Sequence, residues 1–341
     1  MLRIGLAGFG YWGPNLARAL NSLEGAKFSA IAEKSTMKLN EAIEIYEGIS
    51  TFQSVEDLIN SKSIDAIVIA MPASTHEYVS KLALDAGLHV LVEKPMVFSP
   101  DIGIELENIA NKNNLVLMPG HTFIYNDAVL WAKKYIKEGK LGDILNLYSQ
   151  RLNLGQLRRD VNVVWNLAPH DVAVFDFLLE DRVKSVSATG SSFAHEGIED
   201  LAFLSLTYNS GVIAHTHVSW LDPTKTRRIT IIGTKGMLVI DDTRIEKRIE
   251  IHEKYIQNSE KVAPTYNNFN VSLHSGEVIY PKFDFREPLK VELQDFVDSI
   301  LLNRLPQANS TDGIWVARVL QAADASIRQD GTSFEIGLGH D

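Results

Sequence analysis

The sequence predicts an α/β protein. An N-terminal parallel sheet flanked by helices is followed by an α+β domain with a large, mostly antiparallel open sheet. Three observations carry this. Up to about residue 120, apolar runs of strand length alternate with segments of helical periodicity, and such alternation implies right-handed crossovers and parallel pairing. From about Asp143 helices become sparse and apolar residues alternate with polar ones, the pattern of strands with one covered face. The first strand also ends in Gly8, Gly10 and Gly13, spaced G-x-G-x-x-G, where a helix begins.

Taken in order, residues 2–7 read as a strand and 14–20 as a helix. A second apolar run covers 28–32, a helix 37–47 stops at Gly48, and 51–52 form a short strand. Ser54-Val55-Glu56-Asp57 has the form of a capping box for a helix to about Asn60. Residues 64–70 are β-branched and almost wholly apolar, as in a strand covered on both faces. A helix over 75–86 ends at Gly87, and the strand 89–92 runs into Glu93-Lys94-Pro95. A helix over 100–113 and a strand over 115–118 follow, closed by Pro119-Gly120. Beyond the change of texture, 144–152 reads as a strand, the stretch to 166 as polar and 167–179 as a helix. Strands are expected at 183–191, 201–208, 212–220, 228–233, 237–241 and 245–252. Residues 257–276 read as an irregular polar excursion, and amphipathic helices over 288–302 and 312–328 close the chain.

A length of 341 residues exceeds one ordinary domain, and the pattern places the domains at 1–122 and 123–341. The net charge of −10 argues against nucleic acid as a partner. The absence of cysteine removes disulfides, thiolate nucleophiles and sulfur-ligated zinc. A first strand at Leu2 and no apolar run of membrane-spanning length give the expectation of a soluble, cytoplasmic protein without a membrane partner.

The glycines have separate mechanical uses. Gly8 permits the tight turn, Gly10 lets backbone approach a pyrophosphate, and Gly13 lets the helix pack closely on the sheet. N–H groups at the helix start then face phosphate. Glu33, twenty positions after Gly13, ends the second apolar run, where a carboxylate accepts from an adenosine ribose 2′-hydroxyl and repels a 2′-phosphate. The unit is therefore read as a Rossmann dinucleotide-binding domain for NAD. NADP stays open, because Lys34-Ser35 would suit a 2′-phosphate if Glu33 turned away. Strand ends in a parallel sheet converge on one crevice, which assigns Tyr11, Trp12, Ala70, Pro72, His76, Glu93 and Lys94 to the cofactor set and His121 to the substrate side.

Several motifs resemble those of the glucose–fructose oxidoreductase/inositol dehydrogenase/rhizopine catabolism (Gfo/Idh/MocA) oxidoreductases over essentially the whole chain. They are GFGYWG at 8–13, PASTH at 72–76, AGLHVLVEKP at 86–95, GKLG at 139–142 and APHD at 168–171. Glu93-Lys94-Pro95 after the strand is the most specific. The resemblance implies that Lys94 lies beside the nicotinamide and the substrate hydroxyl, that the Lys94–Pro95 bond is cis, and that His170 is the active-site histidine.

Chemistry gives Lys94 its own argument: an ammonium beside a cationic ring loses its proton more easily and can then exchange one with the reacting oxygen. The alternative is a surface lysine at a strand end. His170 titrates near neutrality, which suits the proton half of alcohol oxidation; the alternative is a histidine bonded to backbone. Many members of that family carry an aspartate four residues before that histidine, where this chain has Asn166. An amide holds a hydrogen bond but supplies no charge and takes no proton. Either His170 works alone, a carboxylate such as Asp171 compensates, or turnover is weak.

The segment from Gln150 to Trp165 resembles the nucleotide-sugar branch, with Arg151 and Arg158 as diphosphate grips, Asn162 beside them and Trp165 as a stacking surface. Solvated arginines are the plain alternative. Tyr125 and Asn126 follow a crevice strand and suit substrate contact, with packing the alternative for Tyr125. His215 and His217 share a strand face but have no evident third ligand, so no metal is assigned. The function expected is an NAD(P)-dependent oxidoreductase acting on a ring hydroxyl of a UDP-linked sugar, or the reverse ketoreduction. A non-catalytic dinucleotide- or sugar-binding regulator and an inositol or free-sugar dehydrogenase are the alternatives. An open sheet with no helix assigned to its outer face predicts a homodimer or homotetramer.

Overall fold

A computed structural model of the chain describes residues 1–155, 157–258 and 271–337. In chain order the elements are β1 (Leu2–Ala7), α1 (Gly13–Leu20), β2 (Ala26–Ala32), α2 (Thr36–Ile45), β3 (Ser50–Phe52), α3 (Val55–Asn60), β4 (Ala66–Ile69), α4 (His76–Asp85), β5 (His89–Glu93), α5 (Pro100–Lys112) and β6 (Leu117–Gly120). Then come α6 (Asp127–Lys137), β7 (Ile144–Leu152), α7 (Val163–Leu179), β8 (Val183–Ser191), β9 (Leu201–Tyr208), β10 (Ile213–Ser219), β11 (Thr226–Gly233) and β12 (Gly236–Asp241). The last are β13 (Ile249–Asn258), β14 (Val271–Ile279), α8 (Pro288–Leu301), α9 (Ser310–Arg328) and β15 (Phe334–Glu335).

Helix starts follow their caps. Ser35, Ser54 and Ser99 accept the N–H of Lys38, Asp57 and Ile102 at the heads of α2, α3 and α5, each offsetting one of the unpaired donors of a helix end. Asn126 caps α6, a helix the sequence reading passes over. Asn162 caps α7 by accepting from Trp165, so α7 starts four residues before the expected 167 and runs through Pro169 without ending there. The expected irregular stretch at 257–276 is also corrected at its two ends, since β13 and β14 extend into it and pair; its residues 259–270 lie outside the described residues.

The chain divides into two units, Met1–Tyr125 with Arg286–Gln321, and Asn126–Phe285 with Ala322–Asp341. The expected single cut after 122 is corrected accordingly. The return from Arg286 has a packing cause: α8 lies against α1 and the turn at 122–125, and buries Leu289, Leu293, Phe296 and Val297 there.

The first unit is a parallel sheet in the order β3-β2-β1-β4-β5-β6. All four residues of β4 are buried, as both-face cover requires. Ile4, Leu6, Ile31, Ile67 and Ile69 lie essentially out of water, each contributing about 1.5–3 kcal/mol of burial. Strand order reverses at β1, so the glycine loop sits at the switch point.

The second unit is a nine-stranded sheet, β14-β13-β12-β11-β7-β10-β9-β8-β15, antiparallel except for the β7·β10 pair. Helix α7 packs on β7, β9 and β10, and α6 on α7 and β12. The residues facing these helices, among them Leu147, Ala214, Leu204 and Leu206, are buried. Tyr148, Phe203 and Ile213, which alternate with them, are exposed on the other face.

Candidate active site

In the first unit the glycine loop has the shape a dinucleotide requires. Gly8 has φ +97°, and a Cβ there would stand 2.6 Å from the Ala70 carbonyl oxygen. A Cβ on Gly13 would meet the Gly8 carbonyl oxygen at 2.7 Å, whereas one on Gly10 would meet nothing within 4 Å. Two glycines are thus demanded by the fold and the third leaves open space at the loop. Helix α1 begins at that space without a side-chain cap. Glu33 accepts the N–H of Phe9 through Oε2 at 2.8 Å and of Ser35 through Oε1 at 3.0 Å, which holds its carboxylate against the loop. These residues fit NAD: backbone amides for the pyrophosphate and a fixed carboxylate for the adenosine ribose. Tyr11, Trp12, Lys34 and Pro72 are exposed around this edge, and Ala70 packs on Gly8.

His76 is corrected. Its ring is buried, with Nδ1 2.8 Å from the Pro95 carbonyl oxygen and Nε2 2.9 Å from that of Met71. It ties the loop after β4 to the turn after β5 instead of facing a cofactor.

The Lys94–Pro95 bond is cis. Lys94 is half-buried, and Glu93 accepts its backbone N–H at 3.3 Å. The Trp12 indole also faces Glu93, bringing the glycine loop and the end of β5 to one carboxylate. Burial raises the Glu93 carboxyl above the ordinary range, against the lowering effects of Lys94 and Trp12. His121 is 2% exposed and, among the described residues, neither ring nitrogen has a hydrogen-bond partner. Burial lowers its pKa to about 4, with Asp312 opposing and Lys94 assisting, so the ring is neutral near pH 7.

Sequence reasoning missed Glu292. It is 1% exposed, accepts the Thr122 hydroxyl at 2.7 Å, and burial together with the Glu93 charge raises it well above its ordinary value. The signal was present: Leu289, Glu292, Leu293 and Phe296 mark one helical face, and Glu292 is the carboxylate on it. Tyr125 is corrected to a packing residue, buried, donating to Asp295 at 2.8 Å and accepting the Ala308 N–H at 3.0 Å.

In the second unit α7 places Asn166 and His170 one turn apart, both half-buried. Asn166 Oδ1 accepts the indole N–H of Trp220 at 3.2 Å, so the amide is engaged by the neutral donor it can serve. Asp171 does not stand in for the missing aspartate. It is buried, and accepts from Arg151 at 3.0 Å and Thr216 at 3.1 Å. Arg151 is corrected by the same contact, since its guanidinium is turned into the interior and cannot grip a diphosphate from there. Asn162 caps α7 and donates to Glu199 at 2.8 Å and Asp324 at 3.0 Å. Trp165 is buried and donates to Asp324 at 2.6 Å, which removes its face from stacking. Asn126 donates to Asp242 at 2.9 Å. Arg158 pairs with Asp160 near the surface, Arg159 is exposed, and Gln156 of this segment lies outside the described residues. His217 stacks on Phe203 with centroids 4.2 Å apart. Among the described residues no group of three or more His, Cys, Asp or Glu is arranged to hold a metal ion, and no helix is long and apolar enough to cross a membrane.

Residues 2–121 match the family described as "Oxidoreductase family, NAD-binding Rossmann fold", and residues 129–239 match the "GFO/IDH/MocA C-terminal domain". The chain is 26% identical over 326 residues to UDP-N-acetylglucosamine 3-dehydrogenase of Acidithiobacillus ferrooxidans, covering 94% of this chain and 95% of that one. It is 28% identical over 227 residues to inositol 2-dehydrogenase of Corynebacterium glutamicum, covering 64% and 67%. Its fold is that of scyllo-inositol dehydrogenase from Lactobacillus casei, solved with NAD(H) and scyllo-inositol, with a TM-score of 0.79 at 22% identity over 98% and 99% of the two chains.

Proposed function

Because the chain belongs to the Gfo/Idh/MocA family and is an NAD-dependent oxidoreductase for sugar or polyol hydroxyls, we propose that it oxidises a ring hydroxyl of a UDP-linked sugar, as a 3-dehydrogenase, or runs that reaction in reverse. The supporting observation is the similarity to UDP-N-acetylglucosamine 3-dehydrogenase along nearly the full length of both chains. NAD, when bound, takes the hydride. The chain's own residues do the rest. The glycine loop and Glu33 hold the dinucleotide, Lys94 hydrogen-bonds the reacting oxygen, and Lys94 and His170 between them handle its proton. Asn166, bonded to Trp220, orients without contributing charge.

A second reading is favoured by one observation. The interior pairing of Arg151 with Asp171 withdraws a cation from any diphosphate grip, which suits a neutral polyol such as an inositol. Absorbance-monitored NAD reduction by the purified protein separates the two on a panel of UDP-sugars, free sugars and inositols. Turnover confined to a UDP-sugar is the result expected, and turnover confined to inositols or free sugars overturns it. We also propose that the exposed face carrying Tyr148, Phe203 and Ile213 is covered by a second copy of the chain. A monomer mass by light scattering at micromolar concentration would refute that.

A further inference from the structure

Backbone carbonyl oxygens accept hydrogen bonds and never donate them. The ring of His76, 1% exposed, meets two of them, Pro95 at 2.8 Å from Nδ1 and Met71 at 2.9 Å from Nε2. A neutral imidazole carries one N–H. It serves one oxygen and sets the lone pair of its other nitrogen against the second. Only the imidazolium serves both, and both separations are those of N–H···O bonds. Burial and the start of α4 oppose the charge, while two carbonyl dipoles at bonding distance favour it.

The neighbouring charges are arranged around the same segment. Glu77, next on α4, accepts the N–H of Phe98 at 2.8 Å and of Ser99 at 3.0 Å. The first turn of α4 thus grips residues 95–99 twice, with a donor at a carbonyl and an acceptor at two amides. On the helices packed against α4, Glu105 of α5 pairs with Lys81 and Glu56 of α3 accepts the Tyr78 hydroxyl at 3.4 Å. On the β5 side stand Glu93 and Lys94, which act on each other.

The strand order says what the two carbonyls flank. A dinucleotide with its pyrophosphate at the loop after β1 and its adenosine ribose at Glu33, after β2, must run its nicotinamide half the opposite way, past β4 toward β5. Met71 follows the end of β4, and Pro95 follows Lys94 at the end of β5. His76 spans these two strand ends from inside the unit.

We propose that His76 is held as an imidazolium and, by donating to both carbonyls, fixes the berth of the nicotinamide half of the cofactor. It is a positioning residue that touches neither cofactor nor substrate. Its role rests on NAD lying at the glycine loop, whichever sugar or polyol is oxidised.

Two measurements on the full chain, without substrate, test this. In NMR with ¹⁵N-labelled histidine, the ring that disappears in His76→Gln should carry two N–H protons at pH 7, where an ordinary histidine, with a pKa of about 6.5, is mostly neutral. A single N–H on that ring overturns the proposal. Affinities for NADH and for ADP-ribose, which lacks the nicotinamide, are then compared by calorimetry. An amide side chain reaches one oxygen only: His76→Asn keeps a donor on the Pro95 side and His76→Gln on the Met71 side. Each should weaken NADH about tenfold, as expected for one lost hydrogen bond, and leave ADP-ribose within about threefold. Equal weakening of both ligands marks a general loosening of the unit and overturns the positioning role, as does unchanged NADH affinity. If the wild-type protein binds NADH but not ADP-ribose, the placement at the glycine loop fails and the role falls with it. Should neither variant fold, a wild-type spectrum in which no ring carries two N–H protons at pH 7 still overturns the proposal.

Discussion

Alanine at Gly10 and alanine at Gly8 should have opposite effects, and the contrast isolates what the loop is for. At Gly10 the new methyl meets nothing within 4 Å and the backbone is not left-handed. Stability should therefore hold, or rise by about 0.4–1 kcal/mol as the unfolded chain loses freedom. The methyl nevertheless occupies the space through which a pyrophosphate reaches the backbone. Loss of one charge-assisted hydrogen bond, about 1.5–3 kcal/mol, weakens NAD by roughly ten- to a hundredfold. At Gly8 the φ of +97° costs a non-glycine residue about 1–2 kcal/mol, and the 2.6 Å approach to the Ala70 oxygen adds about 1–3 kcal/mol of displacement. Gly8→Ala should then lose about 2–5 kcal/mol of stability. Urea unfolding paired with NADH fluorescence titration reads both quantities on each variant. A Gly10→Ala protein that binds NADH as the wild type does would refute the placement of the pyrophosphate.

Lys94→Ala should lower turnover by about 10²–10⁴-fold while NAD affinity, measured by calorimetry, changes little, because the pyrophosphate is held elsewhere; retained turnover removes Lys94 from the chemistry. Asp171→Asn leaves the Arg151 guanidinium enclosed without its counter-charge, and should cost about 3–5 kcal/mol in chemical denaturation. A loss below about 1 kcal/mol would show that water reaches the pair. His121 makes stability depend on pH. Its folded pKa of about 4 lies below the ordinary 6.5. Between those values the unfolded chain takes a proton that the folded ring refuses, so this contribution is present above pH 6.5 and lost as pH falls toward 4. The loss reaches about 3 kcal/mol at most. His121→Gln should show a shallower fall of the urea midpoint across that window, and parallel curves would refute the assignment.

What could be read in advance was local. Gly8, Gly10 and Gly13, the apolar run 64–70 and the serine caps announce themselves within a few positions, and the structure has their elements close to the predicted places. The roles of single polar residues were not local. Arg151 finds Asp171 twenty positions away, Trp165 finds Asp324 at a separation of 159, and Tyr125 finds Asp295 at 170. Each looked free to meet a ligand because the partner that engages it is brought up only by the tertiary fold. Helix α6 failed for another reason: Lys133, Lys134 and Lys137 dilute its apolar face, of which Ala128, Val129 and Ala132 are the buried part. Glu292 is the reverse case, a polar residue whose position on an apolar stripe was itself the information.

The return of Arg286–Gln321 to the first unit bears on how the protein is made. About 160 residues of the other unit must leave the ribosome before α8 arrives, a wait of roughly 10–30 s at ordinary elongation rates. Until then α1 lacks the helix that covers it, and the Thr122 hydroxyl lacks the Glu292 carboxylate that accepts it. The nascent nucleotide-binding half is therefore an unfinished sheet protein with an apolar flank open to chaperones, and it acquires its full set of charged groups only near the end of translation.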